Sequence, residues 1–173
     1  MRKRVANWMR YYASDHKISN GLIRNGHSVW NFSYRESARY LSPLVRSKKM
    51  GSKAMNAAVI HATRLFQPHL ILLGHCELIT ADTLAALRNI LPSCKIAQWW
   101  VDPFDSHSLP HLLAKQPELD AFFATTAPAY YEPLMGGDNS PTLYYLPNIV
   151  DTGIETERSF AGKKHAHDVF FAG

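Results

Sequence analysis

An imidazole and a carboxylate flank a cysteine at His75-Cys76-Glu77, directly after an apolar run and Gly74. Such a pair beside a glycine turn can hydrogen-bond ligand hydroxyls or exchange protons. The structural alternative is a Glu77 that opens the next loop and a His75 that bonds the backbone. A second acid ends the stretch QWWVDPFD, where Asp102 precedes Pro103. Proline removes a backbone donor and pushes the residue before it towards extended geometry. Asp102 therefore sits at a strand end, where it can bond a ligand, orient His75, or serve as a turn acid. Asp15 and His16 offer a general base at the start of a helix; the plainer reading makes Asp15 a cap and His16 first-turn surface.

Other signals carry less. His107 and His111 stand four apart and share a face if helical. Without a third ligand they make a poor metal site, and they read as surface histidines. No metal site is expected. The chain has no DxD to anchor a metal-bound diphosphate, and neither GxGxxG nor a phosphate-binding P-loop, which argues against a dinucleotide oxidoreductase or an NTPase. Trp99 and Trp100 point to opposite faces of a regular strand.

These residues need elements to position them. Residues 3–11 and 28–33 read as strands, with a helix over 15–25 that starts beside Ser14 and Asp15 and stops at Asn25-Gly26. A helix over about 52–66 follows, then a strand over 69–74, a helix over 80–91 and a strand over 95–101. Beyond these come a short helix over 109–115, a strand over 120–126, a helix over 128–135 and strands over 142–147 and 168–173. Strands alternating with helices imply βαβ units and a mainly parallel sheet. Runs such as LILL and IAQWWV lack period-two alternation, as strands covered on both faces do. The fold class is α/β: a Rossmann-like, mainly parallel, doubly wound sheet with helices on both faces. In such a sheet ligands bind beyond the carboxyl ends of the strands. That rule gathers Asp15 and His16 after the first strand, Tyr34 and Arg35 after the second, His75 and Glu77 after the third, Asp102 after the fourth and Asn148 after the last of the set.

The 173 residues suffice for one domain with a substantial core. Hydrophobic residues make up 46% and charged residues 19%, a globular balance. No apolar run approaches the ~20 residues that cross a bilayer. The basic N-terminus is not followed by the apolar stretch of a secretory signal. Two cysteines without metal spacing, Cys76 and Cys94, suit a reducing compartment. The expected location is cytoplasmic, with peripheral contact at the inner face of a membrane as an option. The net charge of +5 gathers at Arg2-Lys3-Arg4, from Arg46 to Lys53, and at Lys163-Lys164. It favours anionic partners, including an anionic membrane surface. Nucleic acid is disfavoured, because no recognition motif accompanies the charge.

The order HKISNGLIRNGHSV, LILLGHCEL, KIAQWWVDP, AFFATT, LYYLPNIVD, DVFFAG resembles the N-terminal half of GT-B glycosyltransferases, most closely the CgeB-like (spore maturation protein-like) group. The resemblance covers nearly the whole chain. The most telling pieces are NGLIRNGHSV and LPNIVD, the usual exit from the N-terminal domain. It implies a Rossmann-like acceptor-side domain over 1–150, a linker over 151–167, and in 168–173 the first strand of a second domain that is missing here. It also implies a function: acceptor binding for a nucleotide-sugar-dependent, hexosyltransferase-like enzyme of polysaccharide biosynthesis, with a glycan or lipid-linked acceptor. The nucleotide-sugar donor would sit on the missing C-terminal domain, without a metal or other cofactor, and the isolated chain would be inactive. By the same resemblance Asp15 or His16 would be the base, and His75, Glu77, Asp102, Tyr34, Arg35 and Asn148 would bind substrate. The first loop departs from many relatives by lacking a glycine-rich turn. The alternative from another class is a non-catalytic α/β module that binds a ligand or a partner.

Overall fold

The computed structural model describes residues 14–155 apart from 45, 139 and 154. The strands expected over 3–11 and 168–173 lie outside the described residues. The element order is α1 (Ser14–Arg24), α2 (Tyr34–Tyr40), α3 (Lys48–Phe66), β1 (Leu70–Leu73), α4 (Ala81–Ile90), β2 (Lys95–Trp100), α5 (Leu109–Lys115), β3 (Ala121–Ala124), α6 (Pro128–Met135) and β4 (Thr142–Tyr145). A short 3-10 turn, Gln116–Glu118, extends α5. The described residues form an α/β fold with six α-helices and a four-stranded sheet. The sheet runs in the order β1-β2-β3-β4, every pair parallel, consistent with a Rossmann-like doubly wound fold.

Local chemistry sets the ends of these elements. Ser47 and Thr80 cap α3 and α4, their hydroxyls accepting from Met50 N and Thr83 N. After α1 the chain leaves through Gly26 at φ +86°, a left-handed conformation that glycine adopts without penalty. Two expectations need correcting. Residues 28–33, expected as a strand, form no ladder among the described residues; Phe32 packs against the core. The Tyr34–Tyr40 segment, to which the sequence reading assigns no element, is helical, and α3 begins at Lys48 rather than near residue 52, because Ser47 is the cap.

Register places the core. Ile71 pairs with Ile96, Leu73 with Gln98, Gln98 with Phe122, and Trp100 with Ala124. Strand alternation puts these side chains on one face. Leu73, Ile96, Trp100, Phe122 and Ala124 share a buried cluster with Leu84 and Leu87 of α4, Leu112 of α5, and Tyr131 and Met135 of α6, and Ile71 packs at its edge. Sequential strand order with right-handed crossovers sends all three helices over that same face. On the opposite face Ala97 and Trp99 are buried, while Leu70, Leu72 and Tyr144 are exposed. The two tryptophans thus do face opposite ways.

Three polar fastenings hold the layers. Asp120, ahead of β3, accepts from Ile96 N and Arg88 Nη2 at 2.8 Å each and from Lys95 Nζ at 3.0 Å. Buried Asn56 of α3 donates to Leu78 O and accepts from Thr83 Oγ1, tying α3 to the head of α4. Asp151, expected to open a linker, is fully buried: Asn20 Nδ2 donates to it, Gly153 N donates to it, and Arg24 pairs with it at 2.8 Å. That clasp fixes α1 against the chain beyond β4. Among the described residues no helix is long and apolar enough to cross a membrane.

Candidate functional site

The site grows from the turn after β1. Two residues after Gly74, Cys76 takes a left-handed φ of +43°. For a residue with a side chain this costs about 1–2 kcal/mol, so the surroundings must impose it. They do so through the Cys76 carbonyl, which accepts from Ile79 N at 3.1 Å and from Lys115 Nζ at 2.9 Å. The turn presents His75 to one neighbour and Glu77 to another.

His75 meets the end of β2. Its Nδ1 lies 3.2 Å from Asp102 Oδ2, and its ring centroid is 4.7 Å from that of Trp100. A carboxylate at Nδ1 favours the tautomer protonated there and leaves Nε2 with a lone pair. The close contact sets a carboxylate beside a ring that can accept a proton. Asp102, with its side chain 60% exposed, keeps access to solvent and to a ligand.

Glu77 meets the head of α2. The Tyr34 hydroxyl donates to Oε2, and Arg35 Nη2 donates to Oε1 at 2.6 Å. The Arg35 guanidinium also lies 5.4 Å from the centre of the Tyr34 ring. Burial works to raise the Glu77 pKa, but the Tyr34 hydroxyl, backbone N–H and Arg35 outweigh it and hold the carboxyl below its usual range. Burial and the same carboxylate push the Tyr34 phenol upward. Glu77 is therefore a carboxylate at neutral pH, with one side-chain donor on each oxygen. It fastens α2 to the turn, and it has no proton to give.

These groups line a cavity of about 190 Å³ together with Trp100, His111 and Lys115. Asp105 borders it as a structural acid, its Oδ1 accepting from the His107 and Ser108 N–H groups ahead of α5. The structure thus gathers Arg35, His75, Glu77 and Asp102 around one cavity and joins Tyr34 to it through Glu77. It leaves three candidates elsewhere. Asp15 and His16 occupy the first turn of α1, where Asp15 Oδ1 accepts from His16 N; neither lines the cavity. Asn148 is exposed beyond β4, next to Ile149, whose carbonyl accepts from Lys17 Nζ. His107 and His111 are exposed, as read, yet both reach the cavity rim.

Lys115 was not anticipated. It is only 2% exposed, and it makes no ion pair among the described residues. Burial pulls its pKa down, with Cys76 and Glu77 opposing. The available signal was its spacing: three residues after Leu112, it shares the buried face of α5. A wider depression between α2 and α3, lined by Glu36, Ser37, Tyr40, Leu41 and Ala58, lacks convergent polar groups. Among the described residues no three His, Cys, Asp or Glu side chains are grouped to hold a metal ion. Comparison with known proteins returns nothing: no family model, no curated protein and no solved structure matches the chain.

Proposed function

We propose that this chain is the acceptor-binding, N-terminal domain of a nucleotide-sugar-dependent glycosyltransferase. The observation that carries the reading is the His75–Asp102 pair at the carboxyl edge of a parallel sheet, inside a cavity with an aromatic wall. The motif order that resembles GT-B enzymes supports it. In this reading an acceptor hydroxyl donates its proton to His75 Nε2 as its oxygen attacks the anomeric carbon of a donor sugar. The nucleoside diphosphate leaves with the electron pair of the broken bond. Asp102 stabilises the imidazolium, a general-base contribution of roughly 10²–10⁴ in rate. The base is thus His75 rather than Asp15 or His16, because neither of those reaches the cavity.

A glycan array probed with the folded chain tests the proposal. Binding to a defined set of saccharides is expected, weakened about tenfold by Asp102→Asn through a misoriented His75. An array without a bound saccharide refutes it. Binding that Asp102→Asn and His75→Ala leave unchanged removes the dyad from the site and leaves a binding module of another kind.

A further inference from the structure

We infer that the cavity receives an anionic group beside Lys115, and that the acceptor is therefore an acidic saccharide bearing phosphate or carboxylate. The inference rests on the acceptor reading and narrows it.

Of the carboxylates in the wall, Glu77 takes Tyr34 and Arg35, Asp105 Oδ1 takes two backbone N–H groups, and Asp102, 3.2 Å from His75, stays 60% exposed at the rim. Deeper in, the unpaired groups are donors. The Trp100 indole N–H is buried without an acceptor among the described residues, although buried N–H groups are nearly always paired. Lys115 carries three N–H bonds on its ammonium and gives one of them to the Cys76 carbonyl. Its charge is buried with no ion pair among the described residues, a costly state unless something compensates it. Arg35 adds a second cation, and His75, His107 and His111 add imidazoles around the same space. At the Lys115 end a ligand meets spare N–H bonds on a buried cation, which selects an acceptor-rich anion, while exposed Asp102 at the rim is left for a ligand hydroxyl. At about 190 Å³ the cavity holds roughly six waters' worth of volume. That admits one phosphate or carboxylate with the sugar carbon that bears it, and leaves the rest of the sugar at the His75–Asp102 rim. Burial depresses the Lys115 pKa, and an anion at Nζ would reverse that shift.

Calorimetric titration at fixed ionic strength with inorganic phosphate, glucose, glucose 6-phosphate and glucuronate tests the inference, with the Trp100 indole N–H followed by NMR. Phosphate is expected to bind at one site and move that resonance, and glucose 6-phosphate or glucuronate to bind about tenfold more tightly than glucose. Lys115→Met, its folding checked by circular dichroism, should remove that preference. Trp100→Phe, which keeps the ring and deletes the donor, should weaken it and serves if Lys115→Met does not fold. Glucose binding as well as glucose 6-phosphate, unaffected by Lys115→Met, overturns the inference and spares the acceptor reading. Phosphate binding lost in Lys115→Met, with no gain from any attached sugar, upholds the anion site and sinks the acceptor reading. No binding of either acidic sugar or phosphate overturns the inference outright.

Discussion

Replacing Asp120 by Asn removes the charge that fastens the amino ends of β2 and β3 to α4. Its carboxylate takes three donors, from Ile96 N, Arg88 and Lys95, while Arg88 also donates to Cys94 O and Glu118 O. Burial opposes ionisation, yet these donors prevail and hold the carboxyl at about 2, below the ordinary 3.8. A shift of that size corresponds to roughly 2.5 kcal/mol. The Asp120 side chain is 25% exposed and that of Lys95 70%, so solvent screening reduces the contribution to about 1–2 kcal/mol. The sign follows from the depressed folded pKa. The stabilisation is complete above the unfolded value, near pH 4, and is lost as pH falls through the folded value near 2. Urea unfolding followed by tryptophan fluorescence, on wild type and Asp120→Asn from pH 7 down to 3, measures the difference. Other titrating groups are common to both proteins and cancel. The variant should be less stable by about 1–2 kcal/mol at pH 6, with the gap narrowing below pH 4. A gap that stays constant down to pH 3, or one that widens, refutes the reasoning.

Two further outcomes follow from packing and burial. Gly51→Ala in α3 would normally gain about 0.5–1 kcal/mol, but its new Cβ would lie 2.7 Å from the Ala38 carbonyl carbon and closer still to its oxygen. A loss of about 2–3 kcal/mol in chemical denaturation is expected, and a gain would show that α2 and α3 do not pack this closely. Burial pushes the Cys76 thiol up to about 11 and raises Cys94 as well. Roughly a thousandth of Cys76 is then thiolate at pH 8, so a disulfide reagent should label the native protein far more slowly than the unfolded chain; rapid stoichiometric labelling of Cys76 would contradict this environment.

The sheet and most helices were legible because their signals are local and redundant. β1 to β4 are apolar runs bounded by Gly, Pro or polar residues, and α4 begins at a threonine cap ahead of Leu84 and Leu87. The failures have physical reasons. YRESARY buries only Ala38, so α2 shows no apolar period; it is held by packing on α3 and by the ties of Tyr34 and Arg35 to Glu77. SVWNFS has strand-like composition, but it has no ladder partner among the described residues. Within the site, the strand-end rule found His75, Glu77 and Asp102, and the orienting contact of Asp102 on His75 was one of its stated readings. The rule also drew in Asp15, His16 and Asn148, which lie elsewhere. It could not find Lys115, which reaches the cavity from the far end of α5. A lysine on a buried helical face is a contact made in three dimensions, and only its spacing from Leu112 hints at it.

The most direct measurement is a ¹H–¹⁵N NMR titration of the folded chain with a panel of neutral and acidic monosaccharides, mapped by residue. The account predicts saturable shifts centred on Gly74 to Glu77, on Trp100 to Asp102 and on Lys115. Shifts confined to the depression between α2 and α3, or a panel that moves none of these resonances, would contradict the assignment of this cavity as a saccharide site.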